Sequence, residues 1–472
     1  MNTHSAEGAP ACRQWRAGTL TYTFAGIVAL FFLLLAGDFV WSLRERSVGV
    51  ITQLLLKQHG ASDFLVGLYL VALPGILGLL VGPVISYRSD RHRGRWGRRI
   101  PYLFFSTPIA FLGMVGMAFT PWLGSCLHRI SGLQGISENQ LILTLFGVSW
   151  MLFEFGVFIG NAIFTALIND VVPRELIGRF FGLFRIVSLA TGIIFNAWFL
   201  GYAETHYMML FLTVGGIYLI GFMVMCFRVK EGEYPPPPEQ PEQRHSPLAA
   251  AGTYLRESFT SGYYLLIFIA VTLAAIVFMP VNTYSIFFIG ELNVPLDHFG
   301  KYIAASYVVS IVLSYPLGVL ADRFHPLRCG ITVMLLYGIS CLVSGIFIRG
   351  EAGFAAALIA HTVLSGTYFT LTASLLLRLF PQSRFAQYQS AQGILGTLAM
   401  IFVVPLIGKL IDLSGNYRLI FYAGALLALL TAMLLFACYR RFRQYGGPDH
   451  YTPPEPENFP NAQRLARKTH PY

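Results

Sequence analysis

Leu141-Ile-Leu-Thr-Leu-Phe-Gly-Val-Ser-Trp150-Met-Leu-Phe-Glu154-Phe-Gly-Val-Phe-Ile-Gly160-Asn161-Ala-Ile-Phe-Thr165-Ala-Leu-Ile-Asn169 is a long apolar run with a single acid at its centre. A helix that crosses a bilayer needs about 20 predominantly apolar residues, and this stretch exceeds that. Eleven further runs repeat the pattern, at 22–56 (longer than one crossing and interrupted by charge), 64–87, 101–121, 179–201, 207–227, 262–290, 299–320, 329–348, 354–379, 386–411 and 417–439. Numbered in chain order, with 141–169 as the fourth, they are spans one to twelve. Backbone groups in lipid must find partners within the protein, which leaves helices or closed barrels. The runs lack the period-two alternation of barrel strands, so helices are predicted. Composition agrees, with 55% hydrophobic and only 12% charged residues where a soluble domain carries about a quarter charged. The expected fold class is an all-α membrane protein with twelve transmembrane helices in two pseudo-symmetric six-helix halves.

Charge sets the orientation. The net charge of +10 resides in short segments between apolar runs, a pattern of membrane topology rather than of nucleic-acid binding. The loop from Arg88 to Arg99 carries six arginines against one acid. Arg174 and Arg179, Arg323 and Arg328, Arg378 and Arg384, and Arg440, Arg441 and Arg443 fall on the same side if the spans alternate. The positive-inside rule then puts both termini in the cytoplasm, as in a bacterial inner membrane. The expected organisation is a tail (1–21), a six-helix bundle (22–227), a linker (228–260), a second bundle (261–439) and a tail (440–472). The linker contains Pro235-Pro-Pro-Pro238 and reads as extended; the chain beyond Gly446 is polar and reads as disordered. A removable signal peptide is not expected, because the polar start to about Gly18 runs into a long helix without a small-residue cleavage site. Of the cysteines Cys12, Cys126, Cys226, Cys329, Cys341 and Cys438, only Cys126 falls in an expected external loop, and none has metal-ligand spacing. Neither a disulfide framework nor a metal site is expected.

The halves resemble one another. Ser89-Asp90-Arg91 closes span two and Ala321-Asp322-Arg323 closes span eight; spans four and ten both end at a proline, Pro173 and Pro381. Internal symmetry of this kind marks transporters with a site near the bilayer midplane. Polarity collects on spans one, four, five, eight, ten and eleven, along single faces. Span one carries Asp38, Trp41, Glu45 and Thr52; span four Trp150, Glu154, Asn161 and Thr165; span five Arg185, Ser188, Gly192 and Asn196. Span eight repeats serine at Ser306, Ser310 and Ser314, and span ten carries His361, Ser365, Tyr368 and Thr372. A charge at mid-bilayer costs at least about 3 kcal/mol, so several such stripes imply one aqueous cavity. Asp38 and Glu154 both lie near the midplane by residue count. Arg185 has the length to reach Glu154 or Asn161. Such an acid with an arginine in reach equips a proton-coupled site; the alternative is a structural ion pair between neighbouring helices. His361 reads as a neutral helix contact or a proton relay. Arg44, Glu45 and Arg46 read as a group near the external mouth that pairs internally. Trp41, Trp150 and Tyr368 offer flat faces for a sugar ring, or ordinary packing.

Gly82-Pro-Val-Ile-Ser-Tyr-Arg-Ser-Asp90-Arg-His-Arg-Gly-Arg-Trp-Gly-Arg-Arg99-Ile-Pro101 resembles the loop between spans two and three of the major facilitator superfamily, and more narrowly that of the sucrose-transporter and glycoside–pentoside–hexuronide cation symporter branch. The resemblance extends to Trp41-Ser-Leu and to the interval from Glu154 to Asp170, and covers the twelve-span layout. It implies a cavity lined chiefly by spans one, four, seven and ten. It also implies that Asp90, Arg91 and Arg99 form a cytoplasmic latch between the halves, whereas Arg88 and Arg93 read as topology anchors. Plant sucrose carriers place an arginine where this chain has Thr165, so the sugar's identity does not carry over.

The leading functional expectation is proton- or sodium-coupled uptake of a glycoside or small oligosaccharide by a monomer in the bilayer. Asn161, Asn196, Asn282, Gln389 and Gln392 suit a ligand rich in hydroxyls, because every buried hydroxyl needs a partner. Efflux of amphipathic molecules and a non-transporting assembly factor are the rivals. No nucleotide-binding motif is present, no cofactor is expected, and the polar residues form no catalytic constellation.

Overall fold

The computed structural model describes residues 14–131, 135–233 and 247–454. Among them twelve helices are long and apolar enough to cross a membrane: Phe24–Gln58, Asp63–Arg91, Ile100–Ile130, Glu138–Val171, Ile177–Tyr202, Tyr207–Arg228, Gly262–Glu291, Leu296–Ala321, Pro326–Phe347, Glu351–Leu379, Phe385–Ser414 and Leu419–Gln444. Each coincides with one of the twelve expected runs, and the protein is an integral membrane protein of all-α class.

Local chemistry explains where the helices start. The Thr23 hydroxyl accepts from the Gly26 amide (3.2 Å) and the Ser62 hydroxyl from that of Leu65 (3.2 Å), each satisfying an orphan donor of a first turn. Span four opens on a reciprocal capping box between Ser137 and Gln140. Span seven is interrupted after Ile276 and restarts at Met279 with Pro280 in its first turn. Span ten is interrupted between Thr372 and Leu375. Spans three and four cross closely because glycines line the contact. A Cβ on Gly113 would lie 2.5 Å from the Phe153 backbone, and one on Gly156 2.6 Å from the Ala110 nitrogen. The outward faces carry exposed Phe32, Leu80, Phe105, Val312 and Phe402, side chains suited to acyl chains.

The described residues cluster in two units. One takes those of Met1–Ala61, Leu77–Phe195 and Tyr202–Glu239; the other takes Ser62–Ile76, Asn196–Gly201 and those of Gln240–Tyr472. The second unit therefore holds the first turns of span two and the last turn of span five along with spans seven to twelve.

Several boundaries differ from the sequence reading. Span three continues past Pro121 to Ile130, so Cys126 is helical rather than in a loop. Hydropathy falls at Pro121-Trp-Leu-Gly-Ser, but one proline removes only one helical hydrogen bond. The start of the chain pairs Trp15–Ala17 with Leu20–Tyr22 as a hairpin turning on Gly18 at φ 57°, where a Cβ would be strained. Within the expected linker, Pro247–Phe259 is helical rather than extended, consistent with its Leu-Ala-Ala-Ala run; Pro235–Pro238 lie outside the described residues. The expected disordered tail is structured as far as it is described. Gly447–His450 form a helical turn, the Tyr451 hydroxyl donates to the Leu379 carbonyl (2.8 Å), and that of Tyr264 to the Pro454 carbonyl (2.8 Å). Cys12 and residues 455–472 lie outside the described residues.

Candidate functional site

In the first unit, span one delivers Asp38 and Arg44 to its interior. Asp38 is fully buried; the Ser42 hydroxyl, one turn on, donates to its Oδ1 at 3.3 Å, and Oδ2 has no hydrogen-bond partner. Arg44 is also buried, with its Nε and one terminal nitrogen unpartnered. Its guanidinium lies 4.0 Å from the Trp41 ring centroid and 6.0 Å from that of Phe153, where a π face attracts a cation. Glu154 follows Phe153 on span four. Neither Asp38 nor Glu154 forms an ion pair within 4.0 Å among the described residues. Glu45 is exposed and acts electrostatically on Asp38.

This corrects two expectations. Arg44 does not sit at an external mouth paired with its neighbours; it turns inward against Trp41. Arg185 makes no ion pair or hydrogen bond among the described residues and is exposed on span five, so it is not bonded to Glu154 or Asn161. Asn161 and Thr165 are exposed on span four. Trp41 is buried among Phe164, Tyr218 and Phe222, with centroids 6.2–6.4 Å away, and Arg44 occupies one of its faces.

In the second unit, three spans meet at His361. Its Nδ1 lies 2.7 Å from the Tyr337 hydroxyl and its Nε2 2.9 Å from the Asn282 carbonyl oxygen. An amide oxygen only accepts, so the network assigns the proton to Nε2 and makes Nδ1 the acceptor for tyrosine. His361 is buried whereas Asn282 is exposed. Phe278, at the break in span seven, lies against Tyr337 (4.8 Å), Tyr368 (5.8 Å) and His361 (6.2 Å). Tyr368 is buried in that contact. The serine and threonine stripes carry less information than expected. Ser306, Ser310 and Thr372 donate to carbonyls four residues back in their own helices, and Ser314 and Ser365 to carbonyls three back, so their hydroxyls need no cavity. Asn196 is buried where span five crosses span eight; a Cβ on Gly300 would lie 2.1 Å from its carbonyl oxygen.

The arginine-rich loop closes on itself within the first unit. Arg99 reaches Asp90 (2.5 Å), Asp170 (3.2 Å) and the Ser89 hydroxyl (2.7 Å), and Arg98 grips Asp170 through two nitrogens at 2.6 and 3.1 Å. Glu231, just after span six, accepts from the backbone N–H groups of Arg98, Arg99 and Ile100 at 2.7–2.9 Å and so caps span three. Arg91 lies over the Tyr87 ring at 3.8 Å. The described partners of Asp90, Arg91 and Arg99 belong to their own unit.

A second clasp, in the second unit, was not anticipated. Asp412 of span eleven accepts from the amides of Asp63 (2.7 Å) and Phe64 (2.9 Å), capping the first turn of span two. The Tyr417 hydroxyl donates to Asp63 Oδ2 (2.9 Å), and that of Tyr284 to the Val404 carbonyl (2.9 Å). A Cβ on Gly408 would meet the Asp63 carbonyl at 2.4 Å, and one on Gly67 the Tyr284 hydroxyl at 2.5 Å.

Comparison with known proteins follows this architecture. Residues 281–470 match the family model described as Major Facilitator Superfamily, and residues 61–281 match that described as PUCC protein. No curated protein matches the chain. Among solved structures, a bacterial homologue of the iron transporter ferroportin in an inward-facing state superposes with TM-score 0.66 at 15% identity, covering 87% of this chain and 99% of its own. An inward-facing bacterial homologue of the human lysosomal transporter Spinster gives 0.63 at 13%, covering 91% and 98%. A D-xylose-proton symporter gives 0.56 at 16%, covering 86% and 97%. The sucrose-transporter branch finds no support among these matches. The twelve spans adopt the major facilitator fold.

Proposed function

We propose that this protein is a secondary active transporter that couples proton movement to uptake of a small hydroxyl-rich solute, a sugar or glycoside, by alternating access. One observation carries the reading: two carboxylates and a guanidinium lie in the interior of spans one and four without an ion pair joining them. Charge placed at membrane depth without a partner is costly, and proteins keep it where it moves an ion or binds a substrate. In this reading Asp38 and Glu154 take up and release the proton. Arg44, held by Trp41 and Phe153, supplies the positive charge that Glu154 can lean on when it is ionised.

The sugar side rests on Asn282 and His361. The exposed Asn282 amide offers two N–H donors, its orientation fixed by the His361–Tyr337 chain, and a neutral amide suits a ligand rich in hydroxyls. The D-xylose-proton symporter among the structural neighbours supports the class without fixing the sugar. The interruptions in spans seven and ten give backbone sites where the path can change shape.

The test is uptake of radiolabelled mono-, di- and trisaccharides into proteoliposomes under imposed proton or sodium gradients. Uphill accumulation driven by the proton gradient is expected. Glu154→Gln should abolish that accumulation and spare counterflow exchange of the same solute. Accumulation surviving in Glu154→Gln removes Glu154 from coupling; expulsion of an amphipathic dye with no sugar uptake refutes the solute class.

A further inference from the structure

At the arginine-rich end of the first unit, beside spans three and six, lies a groove of about 430 Å³ whose lining includes Arg95, Trp96, Phe104, Phe227, Lys230 and Glu231. Its two parts differ in chemistry. One wall is aromatic: Trp96 meets Phe104 edge-on at 5.4 Å, Phe104 meets Phe227 at 5.8 Å, and Trp96 and Phe227 remain 54% and 70% exposed. The rim is cationic. Arg95 and Lys230 are both exposed, and neither has an ion pair among the described residues. The lining holds one acid against these two bases, so it keeps a net positive charge, and Glu231 accepts from the three backbone N–H groups that begin span three.

We infer that this groove seats one anionic phospholipid, its phosphate on Arg95 and Lys230 and one acyl chain along Phe104 and Phe227. Three features favour a lipid over a free anion. The groove lies where two spans end, at the depth where headgroups sit, and Trp96 is the residue type that anchors at that level. Trp96 and Phe227 leave exposed apolar surface on the aromatic wall that an acyl chain would cover. Unpaired basic residues beside an apolar wall complement a headgroup whose charge is fixed to a hydrocarbon tail. The seat also adjoins the cap that Glu231 places on span three, and thus the Arg98 and Arg99 contacts to Asp90 and Asp170. Occupancy braces that cluster. None of this depends on the transport reading.

The experiment uses the full-length protein in neutral detergent, with phosphatidylglycerol or phosphatidylcholine carrying brominated acyl chains as the probes. Tryptophan quenching is read, and a Trp96→Phe variant isolates the groove from the other five of the six tryptophans. Brominated phosphatidylglycerol should quench the Trp96 component at lower concentration than phosphatidylcholine. The double variant Arg95→Gln, Lys230→Gln should weaken the phosphatidylglycerol curve roughly 30-fold, at about 1 kcal/mol for each basic residue. Phe227→Ala should weaken it without erasing the headgroup preference. Equal quenching by the two lipids, a curve unmoved in the double variant, or full displacement by inorganic phosphate would overturn the proposal.

Discussion

Arg44 shows what a residue's periodicity reveals and what it conceals. Asp38 and Glu154 could be read from the sequence, because each is a lone acid deep inside an apolar run, and depth follows from counting residues along a helix. Arg44 could not. It stands beside Glu45 and Arg46, and three adjacent charges look like a solvated mouth. Rotation separates them: Glu45 is exposed while Arg44 turns toward Trp41 and Phe153. Arg185 failed for the opposite reason, since its length allowed a reach that the packing does not use. Outside the spans, His325 gives a prediction at the same scale. Its Nδ1 accepts from the Leu327 amide at 3.3 Å and caps span nine. Burial, with the nearby Arg378 and Arg328 charges, pushes its pKa down from 6.5 to about 4. The unfolded chain therefore binds the proton first as pH falls below 6.5, and stability present above that value is lost progressively toward pH 4. Thermal unfolding followed from pH 7 to pH 5 should show a drop that His325→Asn, which keeps a capping acceptor, reduces. Equal drops in the two proteins would remove His325 from the account.

Elements were legible where hydropathy alone decides them. All twelve spans fell in the expected order, since a bilayer tolerates little else between its faces. Span ends were less legible: Pro121 hid the last turns of span three, and the ordered tail at Tyr451 depends on contacts with residues far earlier in the chain. The clasp between spans two and eleven was invisible for the same reason. Asp63 and Asp412 are 349 residues apart, and no local pattern joins them. The clasp predicts its own behaviour. Asp412 gives two charge-assisted bonds to the first turn of span two, each worth about 1.5–3 kcal/mol. Asp412→Asn removes the charge and one acceptor, and should speed amide exchange at Asp63 and Phe64 about tenfold or more, read by hydrogen–deuterium exchange on peptides covering that turn. Gly408→Val should do the same by displacing the Asp63 carbonyl. Unchanged exchange in both variants would mean that the first turn is held by other contacts.

At the scale of the whole molecule, the repeat signals at Asp90 and Asp322 and at Pro173 and Pro381 foreshadowed a fold that the comparisons identify. They did not identify the residues that meet inside it. The Arg88–Arg99 loop illustrates the difference: its motif was legible, but the partners it takes, Asp170 and Glu231, were not. The functional account stands on the claim that Asp38 and Glu154 border one water-filled path used by the solute. Single cysteines at these two positions, in a background without native cysteines, can be challenged in sealed membranes with a charged, membrane-impermeant methanethiosulfonate. The account predicts that both react from the aqueous phase and that the transported solute slows both reactions. Thiols inert to the charged reagent yet modified by a lipid-soluble maleimide would contradict it.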